Sequence, residues 1–130
     1  MSQPPIPEDL RRFILTSVPS VPFLEALLLL RADPRQQWES TMLASRLYIR
    51  ERVAEKLLAD LCTAGFAQPC AEPASHCYRY APASAALRER IDRLAELYAR
   101  HLVDVTHLIH STVERQAQQF ADAFRLRKDE

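Results

Sequence analysis

The stretch LASRLYIRERVAEKLLADLCTAGF, residues Leu43–Phe66, contains two helical patterns separated by a tight turn, which we place at Tyr48-Ile49. The second pattern begins at Arg50, and its spacing predicts one buried face. The residues on that face are Val53, Ala54, Leu57, Leu58 and Leu61. Gly65, the only glycine of the chain, stands where a helix end favours a left-handed residue. The stretch therefore predicts two helices joined by a turn, the second ending near Gly65.

Two further helices are predicted before this stretch. The segment Glu8–Ser17 has apolar residues at helical spacing and stops before Pro19. Ser20 is then predicted to be the N-cap of a second helix that has Pro22 in its first turn and runs to Asp33-Pro34. Because this helix is apolar on more than one side, we expect it in the middle of the domain.

The region around the opening stretch supplies the remaining short elements. Trp38 is predicted to be a short extended piece covering the edge of the core, and Ser40 or Thr41 to cap the next helix. The apolar side of that helix is predicted to be Met42, Leu43, Ala44 and Leu47. Residues 66–68 and 77–81 are short aromatic or alternating stretches on either side of Pro69–His76, which predicts a two-stranded hairpin with a longer loop.

The C-terminal third is predicted to be one long helix. From Ser84 onward there is no breaker for roughly 40 residues, enough for about 60 Å of helix. Apolar residues recur there in steps of four and three, the spacing of a coiled-coil seam, so this helix should pack on a copy of itself, on the first helix, or on both. The residues predicted for dimerisation are Leu87, Ile91, Leu94, Tyr98, His101, Val105, Leu108 and Ile109.

The length of the chain and its balance of charges restrict its domain organisation and the partners that it can bind. A chain of 130 residues suits one domain with an oligomerisation arm, divided here into residues 1–19, 20–82 and 83–130. Lys and Arg together number 17, equal to Asp and Glu. This neutrality counts against indiscriminate nucleic-acid binding, which depends mainly on cations that neutralise phosphates. Specific binding through a local basic patch stays open.

Location is predicted from what the sequence lacks. The longest apolar run, Ala26–Leu30, is far shorter than the roughly 20 residues of a membrane span. The segment Met1–Pro7 resembles neither a secretory signal nor a transit peptide, so a cytoplasmic location is expected. Three cysteines without regular spacing fit reduced thiols better than a disulfide framework.

Several of these features together resemble the winged helix-turn-helix of bacterial transcriptional regulators. They are Trp38, the LASRL helix, the turn at Ile49, the VAEKLLADLCTAGF helix and the CYRYAP stretch, in a layout most similar to the MarR, PadR and ArsR groups. The resemblance covers residues 20–82. It implies a mainly α fold in which the second helix of the unit reads the major groove, a two-stranded wing touches phosphate or the minor groove, and a terminal helix forms the dimer.

The outward face of the second helix carries the predicted DNA contacts. Turning Leu57 and Leu61 inward leaves Arg52 and Lys56 outward, four residues apart, where they repel each other unless an anion lies nearby. A phosphate or a guanine edge would supply that anion. The residues predicted to contact DNA are Thr41, Ser45, Arg46, Arg50, Arg52, Lys56 and Arg79.

The same face also allows a protein partner. Glu51 and Glu55 form an acidic row beside the basic one, and the loop Pro69–His76 contains Glu72 but no Lys or Arg. Wings that bind DNA in the similar families usually carry basic residues. The alternative is therefore a winged-helix interaction module that docks on a protein of the transcription machinery through paired acidic and basic rows.

The cysteines and histidines also offer ligands for a metal and thiols for redox chemistry. Cys70, His76 and Cys77, with Cys62, could bind a soft metal, and Cys70 and Cys77 could form a redox pair across the hairpin. The histidines His101, His107 and His110, with Asp104, recur at threes on the long helix. No pair has the spacing of a structural metal site, so buried cysteines and no metal are predicted. Without a phosphate-binding glycine loop or a nucleophile motif, the sequence predicts neither an enzyme nor a cofactor.

These features lead to one functional prediction. We expect a bacterial, cytoplasmic transcriptional regulator that forms a homodimer through its C-terminal helix. The recognition helix, residues 50–64, would lie in the major groove of double-stranded DNA. A dimer would place two such helices about one turn of the duplex apart.

Overall fold

A computed structural model describes residues 6–70 and 77–128, and within the last helix the side chains up to 122 other than 113 and 116. The chain is mainly helical, with a small three-stranded antiparallel sheet. The elements in order are α1 (Glu8–Ser17), α2 (Val21–Ala32), β1 (Trp38–Glu39), α3 (Ser40–Leu47), α4 (Glu51–Thr63), β2 (Ala67–Pro69), β3 (Cys77–Tyr80), α5 (Ala85–Arg100) and α6 (Leu102–Lys128).

Side-chain caps fix the starts of two helices. The Ser20 hydroxyl accepts a hydrogen bond from the backbone N–H of Phe23 at 3.2 Å, which confirms the predicted N-cap of α2. Ser84 caps α5 in the same way, through the N–H of Leu87 at 3.1 Å. The predicted cap of α3 at Ser40 or Thr41 is wrong by one residue, since Glu39 holds the cap position without a side-chain bond. Pairing with β3 keeps Glu39 extended, so the helix begins at the next residue.

Two residues with positive φ shape the ends of α3 and α4. Tyr48 follows α3 in the left-handed region at φ 57°, which confirms the predicted turn. Gly65 has φ 85° just beyond α4, where its N–H donates to the Cys62 carbonyl and its carbonyl accepts from the N–H of Ala83. The chain therefore leaves α4 through a conformation that glycine adopts most readily.

Replacing Gly65 by Ala is expected to lower the free energy of unfolding by about 1–2 kcal/mol, because an L side chain is strained at this φ. The added Cβ would lie 3.4 Å from the Ala83 Cβ, an ordinary van der Waals contact, so the loss comes from the backbone conformation. Chemical denaturation measures the loss. Gly65→Asn is the control and should lose less, since Asn tolerates the left-handed region; equal losses for both variants would mean that φ is not the cause.

The sheet has three strands, in the order β1-β3-β2. β3 pairs antiparallel with β2, Gln68 opposite Arg79, and its other edge pairs with β1, Trp38 opposite Tyr78. The predicted two-stranded hairpin is therefore incomplete, because the extended piece at Trp38 hydrogen-bonds to β3 as well as covering the core. The part of the predicted loop at residues 71–76 lies outside the described residues.

One hydrophobic core joins all three predicted segments of the chain. α2 lies at the centre of this core, as predicted for a helix that is apolar on several sides. Its buried residues are Phe23, Leu24, Ala26, Leu27 and Leu30. Phe66 packs edge-on against Phe13 of α1 and Phe23 of α2, with ring centroids 6.1 and 5.9 Å apart. Ile91 of α5 and Ile109 of α6 belong to the same buried cluster. The arm, the central unit and the C-terminal helices thus share a single core.

The predicted long C-terminal helix is broken. His101 leaves the helical region at φ −132° and ψ 50°, which separates α5 from α6 and allows α6 to pack against α1 and α5. Most of the predicted dimerisation seam is consequently inside the chain's own core: Ile91, Leu94, Tyr98, Val105 and Ile109 are buried, Leu87 and Leu108 are half-buried, and His101 is partly exposed. The predicted packing on the first helix is confirmed, since α5 and α6 both contact α1, whereas the prediction of one unbroken helix is wrong.

Two ion pairs connect α5 to the N-terminal helices. Arg93 binds the Asp9 carboxylate of α1, which lowers the pKa of that carboxyl, and the Arg31 Nε of α2 lies 2.8 Å from the Asp92 carboxylate. Within the described residues no single helix has the length and hydropathy of a membrane span. α1 and α2 reach that threshold only as a pair, and they are bent by 106°.

Candidate nucleic-acid interface

α4 divides cleanly into a buried and an exposed face. Ala54, Leu57, Leu58 and Leu61 are buried, and the helix packs against α2, α3 and β2. The opposite face is a row of exposed residues spaced by four, three and four positions, which is one line along a helix. We call it the α4 row: Arg52, Lys56, Ala59 and Thr63. The sequence therefore predicted the orientation of this row correctly.

Val53 does not belong to the buried face. Its side chain is 42% exposed, which corrects the prediction that it is hidden with Leu57 and Leu61. At about 100° per residue, Val53 lies about 80° around the helix from Leu61, whereas Leu57 lies only about 40° away. Each step of four residues, from Leu61 to Leu57 and from Leu57 to Val53, moves the side chain about 40° around the helix. Two such steps bring Val53 to the margin of the buried face, although its spacing matches that of the core residues. Val53 instead flanks the α4 row.

The two cations of the α4 row and Arg50, the N-cap residue of α4, differ in how freely they can bind an anion. The Lys56 Nζ lies 3.1 Å from an Asp60 carboxylate oxygen, with the lysine side chain 78% exposed. Such exposed pairs four residues apart contribute only about 0.3–0.5 kcal/mol, so an incoming phosphate can replace the carboxylate. Arg50 and Arg52 are exposed, and no ion pair joins them to an acid in the part of the chain that is described.

An acidic flank accompanies the basic row, as the sequence indicated. Glu51 and Glu55 are both exposed, and they line a depression between α4 and the sheet together with Tyr78. Glu51 also accepts a hydrogen bond from the Ser40 hydroxyl of α3 at 3.4 Å. Glu55 lies about 60° around the helix from Arg52, so the acids face the sheet side and the cations face away from it.

The other residues predicted to contact DNA are exposed on neighbouring elements. Thr41 and Ser45 lie on α3, and Arg79 lies on β3 in the sheet. Arg46 of α3 places its guanidinium 5.8 Å from the centroid of the Trp38 ring, a cation–π distance that holds it beside β1. The predicted contacts thus come from α3, from α4 with its N-cap residue, and from β3.

Sequence reasoning missed an exposed apolar surface near the start of α4. Tyr48 is 95% exposed, and Met42 of α3 is 37% exposed although it was predicted on the apolar side. Tyr48 is itself the left-handed residue of the turn, and Met42 lies in the first turn of α3. The signal in the sequence was the position of Tyr48 itself, because a residue in a tight turn between two packed helices has no core to enter.

The cysteines differ from the predicted reduced thiols. Cys70 and Cys77 form a disulfide, with Cα atoms 5.4 Å apart and a backbone hydrogen bond from the Cys70 N–H to the Cys77 carbonyl at 2.9 Å. The two positions face each other across β2 and β3, which is why they meet. Cys62 is a free thiol on α4, and burial raises its pKa.

The residues considered as metal ligands do not converge. Among the described residues no three His, Cys, Asp or Glu side chains come together, and His76 lies outside them. His101 Nδ1 is 3.6 Å from Asp104 at the break between α5 and α6, while His107 and His110 are exposed on α6. The disulfide also removes Cys70 and Cys77 as thiolate ligands.

Comparison with known proteins adds little to this geometry. No protein-family model matches the chain, and no curated protein matches it. Among solved structures, the crystal structure of RV1404 from Mycobacterium tuberculosis is similar, at 14% sequence identity and a TM-score of 0.46. The match covers 85% of this chain and 69% of that chain.

Proposed function

We propose that the chain is a homodimeric, DNA-binding transcriptional regulator with a winged helix-turn-helix head, in which α4 enters the major groove. The element order α2, β1, α3, α4, β2, β3 and the antiparallel sheet order β1-β3-β2 support a winged helix. In that arrangement α3 and α4 are the helix-turn-helix and β2 with β3 is the wing.

The observation that carries the proposal is the α4 row. An α-helix with its side chains is about 10–12 Å across, which matches a major groove about 12 Å wide. Arg52 and Lys56 can reach phosphates or guanine edges, while Ala59 and Thr63 are short enough to let the helix approach the floor of the groove. Thr41, Ser45 and Arg46 are exposed on α3, which packs against α4, and Arg79 is exposed on β3 of the wing; these four side chains would contact the DNA backbone.

The homodimer requires a surface other than the predicted seam. Described residues of α6 between 114 and 122 are all exposed, and Phe120 is 75% exposed in that segment. Ala117, Phe120 and Ala121 are exposed within about 100° of one another around this segment, so they form one apolar face that a copy of the chain can cover. We therefore assign dimerisation to the distal half of α6.

The proposal predicts that Arg52→Ala/Lys56→Ala weakens binding to random-sequence duplex DNA by about tenfold or more, because two phosphate or base contacts are lost. The slope of log affinity against log salt concentration should fall by about 1.8, since each phosphate contact accounts for about 0.9. Fluorescence anisotropy at several salt concentrations measures both.

The matched control is Arg11→Ala/Arg12→Ala, which removes the same charge from two exposed positions on α1. It should change the affinity much less than the α4 variant. Equal losses for the two variants would mean that only net charge matters and would reject α4 as the reading helix.

A second candidate is a winged-helix module that docks on a protein. Exposed Tyr48 and Met42 beside Arg46 favour it, because Tyr, Met and Arg are enriched in protein interfaces. Absence of any DNA binding by the unaltered protein at low salt would overturn the regulator proposal and leave this one.

A further inference from the structure

Two exposed apolar side chains lie at the N-terminal end of α4, the end nearest the α3–α4 turn. Tyr48 precedes the helix and is 95% exposed, and Val53 in its first turn is 42% exposed. Arg50 and Arg52 lie between them in sequence, and both are exposed. The six residues from Tyr48 to Val53 thus hold two exposed apolar side chains and two exposed cations, together with the acidic Glu51.

This arrangement is not what folding alone favours. An aromatic residue at φ 57° is strained, whereas Asn or Gly would adopt the same turn at lower cost. Val53 loses the stabilisation that burial would give a β-branched side chain. Strained backbone conformations of this kind are held by the surrounding structure and cluster at functional sites. Strain and apolar exposure therefore mark the same end of α4 as a contact surface.

We propose that Val53 recognises the 5-methyl group of a thymine in the major groove, with Tyr48 lying against the adjoining sugar-phosphate backbone. The inference rests on the proposed function and adds the base that this part of the helix selects. The thymine methyl is the apolar group that a major-groove base edge presents, so an exposed valine on a reading helix fits it directly. The Tyr48 hydroxyl can donate to a phosphate oxygen.

Charge complementarity favours DNA over an apolar protein surface as the occupant. Arg50 and Arg52 are exposed near the two apolar residues and have no carboxylate partner in the described part of the chain, and Glu51 between them faces the sheet side, where it accepts from the Ser40 hydroxyl. Val53 lies about 100° around α4 from Arg52, so when Val53 meets a base edge Arg52 faces the neighbouring phosphate backbone. Val53 is then a specificity residue rather than a source of overall affinity.

The test begins with sites selected by the full-length protein from a random duplex library. Each thymine of a selected site is replaced in turn by uracil, which lacks the methyl group and keeps the hydrogen-bonding edge. The unaltered protein is expected to lose about fourfold in affinity at one thymine in each half-site, the effect of one buried methyl group. Val53→Ala should bind the thymine duplex about fourfold less tightly and show no further loss with uracil.

The matched control is Val103→Ala, the same change at a valine of α6 that is 64% exposed. It should keep the full difference between thymine and uracil. Tyr48→Asn, which suits the left-handed turn, should weaken binding to both duplexes equally. Binding with no uracil-sensitive thymine, or a Val53→Ala protein that still discriminates, overturns this inference alone. A failure to bind any duplex overturns the proposed function together with it.

Discussion

Replacing Phe66 by Ala is expected to lower the free energy of unfolding by about 3–5 kcal/mol, the range for deleting a fully buried aromatic ring. Phe66 is 1% exposed and packs edge-on against Phe13 and Phe23. It stands directly after the Gly65 turn, its N–H donates to the Leu61 carbonyl, and its carbonyl accepts from the N–H of Ala81. Removing its ring therefore leaves a cavity where α1, α2 and the hairpin meet.

Urea denaturation followed by circular dichroism measures the loss, at one protein concentration for all variants. Phe66→Leu is the control, since it keeps much of the apolar volume and loses mainly the edge-to-face contacts, worth about 0.5–1.5 kcal/mol per pair. A loss below about 1 kcal/mol for Phe66→Ala would contradict the central place that the fold gives this ring.

Local rules were enough to predict much of the fold. The bounds of α1, the cap at Ser20, the turn at Tyr48 and the end of α4 at Gly65 were all predicted, because each depends on a few neighbouring residues. Caps and left-handed turns satisfy backbone groups within one or two turns of helix, so their signals stay local. The exposure of the α4 row followed in the same way from helical periodicity.

The errors arose where a pattern shows that a residue is buried but not what covers it. The seam from Ile91 to Ile109 has coiled-coil spacing, yet it is buried inside one chain because the helix breaks at His101. A weak signal of the break was present: Arg100 suits a helix C-terminus and Asp104 suits a helix N-terminus. Pairing between Trp38 and β3 is a contact between distant residues, and the sequence pattern carries no sign of its partner.

The candidate site was predicted in part for the same reason. The exposed positions of Arg52, Lys56 and the cations of α3 follow from the face that the core leaves free. Tyr48 and Val53 were missed, the first because turn residues were not considered as contacts, the second because the helical spacing of apolar residues placed a marginal residue in the core. Both errors hid the apolar end of α4, where the proposed base recognition lies.

Because the helix breaks at His101, we expect one substitution in α6 to lower the stability of the chain and another to weaken the homodimer. Ile109→Ala should lower the free energy of unfolding by about 2–4 kcal/mol, since the side chain is fully buried against the chain's own core, and should leave the oligomeric state unchanged. Phe120→Ala should leave the core intact, because Phe120 is 75% exposed, but should weaken the homodimer. Ile109 thus tests the fold, and Phe120 tests the proposed interface.

Sedimentation velocity over a range of protein concentrations gives the mass, and denaturation at a concentration where each variant is monomeric gives the stability of the chain. Leu102→Ala is the control for Ile109→Ala, because Leu102 is 53% exposed at the start of the same helix and should lose much less stability. If Ile109→Ala dissociates the dimer without lowering the stability of the monomer, Ile109 lies in the dimer interface. That result would support one unbroken C-terminal helix and contradict the break at His101. A dimer unaffected by Phe120→Ala would exclude the distal half of α6 as its interface, and a monomeric unaltered protein would remove the dimer from the proposed function.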